Sequence, residues 1–128
     1  MPFDYSIDKR RRLVVSTGSG IVTAEESRSH QQRLLADPEF DPSFNQLIDF
    51  TAATELRATA AELAPLARRS VFSPDSKRAW VASAPAIFGM GRLAATYHEL
   101  SDTPSQVQVF YDMPTALDWL GLGKTSVD

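Results

Sequence analysis

Two aspartates occupy positions in the sequence that suit chemistry. Asp49 lies in an apolar run that is typical of a buried strand, and Asp112 follows a run that alternates apolar and polar residues. Open α/β sheets place ligands at the carboxyl ends of their parallel strands. The sequence therefore predicts that both carboxylates line a small pocket together with Thr51 and Arg92. The alternative is structural: each aspartate accepts hydrogen bonds from loop amides or caps the next helix.

A pair of glycines lies near the start of a predicted helix, in the segment Phe88-Gly89-Met90-Gly91-Arg92. Amides exposed by glycines can bind an anion at a helix start, and Arg92 could add a bidentate contact. The segment matches neither a dinucleotide-binding fingerprint nor a P-loop, because it lacks the required spacing and the Lys-Ser/Thr pair. In the alternative, the glycines allow close packing of the helix on the sheet and Arg92 pairs with a surface carboxylate.

Residues for metal or nucleophilic chemistry are scarce. The chain has no cysteine and two histidines, His30 and His98, which stand apart in the sequence. Neither belongs to a zinc-binding spacing, and no Gly-x-Ser-x-Gly elbow supplies a nucleophile. We therefore expect no metal, no cofactor and no catalytic residues, and we interpret His30 as a hydrogen-bonded residue at the edge of the core.

Composition indicates one globular domain spanning residues 1–128. Hydrophobic residues make up 43% of the chain, charged residues 23%, and the net charge is -3. This mildly acidic balance gives no general attraction for nucleic acid, and we interpret the basic run 9–12 as a solvated turn. The chain begins without a signal-peptide pattern and has no apolar run of about 18 residues. We therefore expect a cytoplasmic location and no membrane span.

Periodicity and capping motifs predict the element order β-β-α-β-α-β-α-β-α. Capping boxes begin helices at Thr23 and Thr59, and the second helix either kinks at Pro65 or begins there. Trp80 lies in the middle of a predicted strand and is expected to be buried. Strands that alternate with helices require crossover connections, so the sheet should be mainly parallel. The predicted strands are 3–8, 13–17, 46–50, 78–82 and 106–111, and the predicted helices are 24–36, 60–71, 85–100 and 113–120.

Short motifs spread over nearly the whole chain are typical of one family. They are Tyr5-x-Ile7-Asp8 with Arg12-Leu13-Val14; Gly20-x-Val22-Thr23-x-Glu25-Glu26; Leu35-x-Asp37-Pro38-x-Phe40-Asp41-Pro42-x-Phe44; Leu47-x-Asp49-Phe50; Arg78-Ala79-x-Val81-Ala82; Phe88-Gly89-Met90-Gly91-Arg92; and Val109-Phe110-x-Asp112 with Ala116-x-x-Trp119-Leu120. On these motifs the chain resembles the small bacterial SpoIIAA-like proteins, which are grouped with STAS and SEC14 (CRAL-TRIO) domains. The resemblance implies an α/β fold: a mainly parallel sheet of four or five strands, an antiparallel N-terminal strand, and about four helices, mostly on one side.

The resemblance also implies a mode of action. The best-understood relatives are anti-sigma factor antagonists, which bind a partner protein and are switched by phosphorylation of a Ser or Thr. That residue follows the strand equivalent to Leu47-Ile48-Asp49, at the start of the next helix. Here Thr51 and Thr54 are the candidates, although the Asp-Ser-Ser/Thr-Gly pattern of the relatives is absent.

Three functions remain open from the sequence. The first is a non-catalytic STAS-like regulatory or protein-interaction module that binds a partner protein or a second copy, as a homodimer. The second is a SEC14-like pocket for a small molecule or lipid near the carboxyl ends of the strands. The third, which we do not expect, is an enzyme. The candidate ligand- or partner-binding residues are Asp49, Phe50, Thr51, Phe88, Arg92 and Asp112.

Overall fold

The computed structural model describes residues 3–68, 71–100 and 106–122, in which strands and helices follow the predicted order. The strands are β1 (Phe3–Asp8), β2 (Leu13–Thr23), β3 (Asn45–Arg57), β4 (Lys77–Val81) and β5 (Gln106–Phe110). The helices are α1 (Ala24–Leu35), α2 (Ala60–Arg68), α3 (Pro85–Glu99) and α4 (Met113–Trp119).

The strand order in the sheet repeats the chain order, β1-β2-β3-β4-β5. β1 is antiparallel to β2, and every later strand is parallel to the one before it. Crossovers between parallel strands are right-handed in nearly all folds. Because each new strand is added on the same side, α1, α2 and α3 all cover one face of the sheet. The predicted fold class is confirmed.

Side-chain alternation along the strands divides the core between two faces. Ile48 and Trp80 face α2 and α3, where they pack with Ile87. Their neighbours in sequence point the opposite way, and Leu47 packs there with Ala116 of α4. The burial of Trp80, which is 8% exposed, is confirmed.

Both predicted capping boxes form. The Thr23 side chain accepts from the Glu26 amide, and the Glu26 carboxylate accepts from the Thr23 amide. Thr59 and Glu62 exchange the same two bonds, at 3.1 and 2.9 Å. α2 therefore begins at Ala60 and contains Pro65 in its interior.

Two strands are longer than predicted. β3 continues to Arg57 because β2 also continues, to Thr23, and the two remain paired along this extension. The pairing register shifts twice in the glycine-containing part of β2, between Thr17 and Ser19 and between Gly20 and Ile21. Thr51 and Thr54 consequently lie inside a strand. Their expected position at a helix start was wrong.

The basic run 9–12 is engaged locally. Lys9 forms an ion pair with Glu39, Arg11 forms one with Asp8, and the Arg12 guanidinium lies over the Phe44 ring. The run is thus the solvated turn that the sequence predicted. Within the described ranges, no helix has the length and apolar character needed to cross a bilayer.

Candidate functional site

A cavity of about 80 Å³ lies between the sheet and the three crossover helices. Its wall is mainly apolar and includes Phe50 and Trp80. The polar side chains of the wall come from four elements: Ser27, His30 and Gln31 of α1, Gln46 of β3, Arg78 of β4, and His98 of α3. Ligand sites commonly combine an apolar lining with a few convergent polar groups. This cavity has that composition.

A chain of hydrogen bonds runs behind one wall of the cavity. Arg78 Nε donates to Gln46 Oε1 at 3.0 Å, and Gln46 Nε2 donates to Ser16 Oγ at 3.0 Å. Ser16 Oγ in turn lies 2.7 Å from His30 Nε2. Because a guanidinium can only donate, the Gln46 amide must present its oxygen to Arg78 and its NH₂ group to Ser16.

The last bond of the chain ends on a neutral imidazole ring. Burial, together with the positive charges of Arg33 and Arg78, lowers the pKa of His30 to about 4. The ring is therefore neutral at pH 7. The Ser16 hydroxyl, which accepts from Gln46, donates to Nε2 when the ring proton resides on Nδ1 and accepts from Nε2 when the proton resides there.

The Ser16–His30 pair resembles a nucleophile and its base, but the geometry does not expose it. Ser16 is fully buried and does not line the cavity. Within the residues that the structure describes, no carboxylate is hydrogen-bonded to the His30 ring to complete a triad. The same described ranges contain no group of three His, Asp or Glu residues that could hold a metal ion.

Arg78 supplies a cationic group to the cavity wall. Arg78 lies on the same face of β4 as Trp80, the face that points towards the cavity. Its guanidinium lies 4.9 Å from the centre of the Phe72 ring. Burial lowers the pKa of Arg78 to about 10, so the side chain is still protonated at pH 7. His98, which is fully buried near the end of α3, lines the same cavity.

The two predicted aspartates accept hydrogen bonds from residues close in sequence. Asp49 Oδ1 accepts from the amide and hydroxyl of Thr51, at 2.9 and 2.6 Å. Asp112 caps α4 by accepting from the hydroxyl and amide of Thr115, and these bonds lower the pKa of the Asp112 carboxyl. Each carboxylate thus makes the contacts of the structural alternative.

The remaining predicted residues are divided between the two faces of the sheet. Phe50 lines the cavity, whereas alternation places Asp49 on the face covered by α4. Phe88 stacks on Tyr111 with ring centres 3.9 Å apart, and Arg92 is exposed on α3. The strand order never reverses, so the sheet lacks the switch point that forms a ligand crevice in doubly wound folds.

Sequence reasoning missed the polar wall of the cavity. Gln46 is two residues before Ile48, and Arg78 is two residues before Trp80, a residue that was predicted to be buried. Residues two apart in a strand share a face. This spacing was the available signal that both polar side chains point into the core.

Comparisons with known proteins agree with the architecture. No protein-family model matches the sequence, and the search of curated proteins finds no match. Among solved structures, the chain is similar to an uncharacterised DUF3478-family protein with a SpoIIAA-like fold from Shewanella loihica PV-4. The TM-score is 0.58 at 19% sequence identity, over 92% of this chain and 91% of that one. The fold implied by the motif resemblance is confirmed.

Proposed function

We propose that this chain, which has a SpoIIAA-like fold, is a non-catalytic binding module that takes the anionic end of a small acid into the cavity under α1–α3. The observation that carries the proposal is Arg78, a protonated side chain in the wall of a mostly apolar cavity. A guanidinium beside open volume suits a carboxylate, which it can bind through two parallel hydrogen bonds.

The size of the cavity supports a small anionic group. An apolar cavity of about 150 Å³ holds benzene. On that scale the volume of about 80 Å³ holds roughly three non-hydrogen atoms, the number in a carboxylate group. Arg78 has five N–H donors and the Gln46 amide has two. Both side chains also belong to the hydrogen-bond chain, to which Arg78 contributes its Nε donor and Gln46 one amide proton.

The same groups support binding rather than catalysis. Arg78 is a hydrogen-bond donor without an acceptor atom, and so it cannot remove a proton from a ligand. The Nε2 atom of His30 is engaged in its hydrogen bond with Ser16 Oγ. Ser16 itself is closed off from the cavity. Arg78 and His30 in the wall therefore hold a polar end group in place without offering a nucleophile to attack it.

Acetate titration followed by amide NMR tests the proposal. We expect acetate, but not acetamide or methylammonium, to shift the amide signals of Ile48 and Trp80 at millimolar concentration. Arg78→Met should abolish the shifts, whereas Arg92→Met, which removes an exposed arginine of α3, should leave them unchanged. If Arg92→Met abolished the shifts and Arg78→Met did not, the acid would bind at the predicted residues around Arg92 instead. Native mass spectrometry under gentle and denaturing conditions would show whether an acid co-purifies.

A second candidate function is binding of a partner protein or a second copy, and one feature of the sheet favours it. β4 pairs with β3 only as far as Asp49, whereas β3 continues to Arg57. Within the described residues this stretch has no strand on its β4 side. Thr51 and Thr54 are exposed on it. An unpaired strand edge can add a strand from another chain.

Charge at this edge provides the test. Thr51 and Thr54 remain the phosphorylation candidates, and a phosphate on Thr51 would lie beside the Asp49 carboxylate, where like charges repel. We expect Thr51→Glu to abolish partner capture or self-association, whereas Thr96→Glu, on an exposed part of α3, should have no effect. Sedimentation velocity distinguishes a second copy from another protein. If Thr51→Glu and Thr96→Glu bound the partner or self-associated equally well, the unpaired edge of β3 would not be the binding surface.

A further inference from the structure

The two edges of the sheet differ in how their backbone groups are bonded. At the β1 edge, the Arg33 guanidinium donates to the Phe3 carbonyl at 3.0 Å, and the Tyr5 amide donates to Asp4 Oδ1 at 2.9 Å. Arg33 and Asp4 also form an ion pair with each other at 3.1 Å. A strand from another molecule would have to break these contacts to pair with β1, so this edge is protected.

The β5 edge presents backbone groups for pairing. The Gln106 amide and the Phe110 carbonyl both bond towards β4, at 3.2 and 3.0 Å. Because the direction of bonding alternates along a strand, Val107 and Val109 direct their N–H and C=O groups to the outer side. Within the described ranges, β5 pairs with β4 alone.

Exposed side chains of α3 lie beside this edge. One stripe of the helix contains Phe88, Arg92 and Glu99, which are spaced at helical repeats. Phe88 stacks on Tyr111, the residue that follows β5, so the stripe faces the β5 edge. Tyr111 is 59% exposed, and Leu100 at the end of α3 is 74% exposed. The edge thus has an exposed apolar side chain near each end and two opposite charges between them.

We propose that a second copy of this chain pairs with β5 in antiparallel direction, across a two-fold axis at Gln108, and forms a dimer with one continuous sheet. In this register Val107 of each copy lies opposite Val109 of the other, so the outward backbone groups of both residues are hydrogen-bonded. The inference is independent of the acid site. It assigns the second copy to β5 and leaves the unpaired edge of β3 to a different protein.

Distances along the sheet place the exposed apolar side chains together in this dimer. Gly91 lies level with Val109, because a Cβ added there would be 2.9 Å from a Val109 methyl. The crossover helix α3 runs antiparallel to β5. Leu100 therefore lies about 10 Å from Gln108 towards the start of β5, and Tyr111 lies about 10 Å from it in the opposite direction. Since the axis reverses the second copy, its Tyr111 is level with Leu100 of the first.

The two charges of the stripe are complementary across the same axis. A helical side chain leans towards the N-terminus of its own helix. The two α3 helices run in opposite directions in the dimer, so Arg92 of one copy and Glu99 of the other lean towards each other. The symmetry forms this pair twice. A surface that matches itself in charge and in apolar positions identifies the occupant as a second copy.

Sedimentation velocity of the intact chain over a range of micromolar concentrations tests the inference. We expect a concentration-dependent dimer. Leu100→Glu should weaken it about tenfold or more, because the apolar contact with Tyr111 of the second copy is lost. Leu35→Glu is the matched control, since Leu35 is also an exposed leucine, at 68%, and belongs to α1. It should leave the dimer unchanged.

Charge reversal gives a test that a loss of stability cannot imitate. Arg92→Glu and Glu99→Arg should each weaken the dimer, because each places like charges opposite one another. The double variant restores opposite charges across the axis, and we expect it to recover most of the affinity. Thr96→Glu, which adds a charge on an exposed part of α3 outside the stripe, should have no effect.

Four results would overturn the inference. The chain could stay monomeric at every concentration, the dimer could persist in Leu100→Glu, or the double variant could be as weak as the single ones. Loss of the dimer in Thr51→Glu is the fourth, because the second copy would then bind at the β3 edge. Acetate binding is measured separately, so none of these results decides whether the acid site exists.

Discussion

The Ser16 hydroxyl and the His30 ring form a buried hydrogen bond of 2.7 Å that joins β2 to α1. The Phe3 ring stacks on the other side of the imidazole, with ring centres 4.4 Å apart. Burial of the ring disfavours its protonated form, and this is the main reason why the pKa of His30 is lowered in the folded chain. The state of this one ring is therefore linked to the stability of the fold.

The first prediction concerns acid. The unfolded chain protonates His30 near its ordinary pKa of 6.5, whereas the folded chain does so only near about 4. The unfolded state therefore takes up the proton first, and stability is full above about pH 6.5 and falls as the pH drops towards 4. We expect a loss of about 2 kcal/mol between about pH 7 and pH 5, measured by urea denaturation.

His30→Gln is the control for that pH dependence, because it removes the titrating ring. Most of the loss between pH 7 and pH 5 should disappear in this variant. Carboxylates such as Asp112, whose pKa is already lowered by its hydrogen bonds, contribute mainly at more acidic pH. An unchanged pH profile in His30→Gln would assign the effect to another group.

The second prediction contrasts two glycines of α3. A Cβ added at Gly91 would lie 2.9 Å from both the Trp80 ring and a Val109 methyl, whereas one added at Gly89 would meet nothing within 4 Å. Gly91→Ala should therefore destabilise the fold by about 1–3 kcal/mol through overpacking. Gly89→Ala should stabilise it by about 0.5–1 kcal/mol, because alanine is the better helix former. Equal effects in denaturant titrations would contradict the close approach of α3 to β4.

The third prediction concerns the indole in the same contact. Trp80 packs edge-on against Phe50, with ring centres 5.2 Å apart, and lines the inner cavity. Trp80→Ala should lower the free energy of unfolding by about 3–5 kcal/mol. Trp80→Phe keeps most of the apolar volume and should cost clearly less. Chemical denaturation gives both values, and a cost below about 1 kcal/mol for alanine would contradict burial at this position.

The fourth prediction distinguishes a helix cap from a functional carboxylate at Asp112. Its Oδ1 accepts from the Thr115 amide and hydroxyl. Asparagine caps helices about as well as aspartate, and alanine does not. Thermal unfolding should therefore show a lower midpoint for Asp112→Ala and a nearly unchanged one for Asp112→Asn. Acetate binding should be unaffected in both, and its loss in Asp112→Asn would restore a ligand role for the carboxylate.

Local signals in the sequence predicted the elements whose causes are local. Thr23 and Glu26 begin α1 because capping depends on residues three apart, and the apolar neighbours of Trp80 are enough to indicate a buried strand. The extension of β3 to Arg57 has a distant cause. Its alanines and threonines show no strong alternation, and the stretch is extended because β2 pairs with it. Pairing partners far apart in sequence leave no such local pattern.

The candidate site was harder to predict for an energetic reason. Rules based on strand ends selected Asp49 and Asp112, since ligands gather there in sheets whose strand order reverses. Alternation alone would have directed Arg78 inward, but the cost of burying a charge argues against that position until its surroundings are known. Those surroundings include Gln46 and Phe72, which reach Arg78 only in the folded chain.

A sheet whose strand order repeats the chain order has a consequence for biosynthesis. Each strand from β2 onwards pairs with the strand made just before it, and none has to enter between two strands already in place. The growing chain can therefore extend its sheet from one side as it leaves the ribosome, with each crossover helix added over the strands already made. At every stage after β2 has formed, β1 remains one edge of the sheet, and the strand made last forms the edge that the next strand will cover.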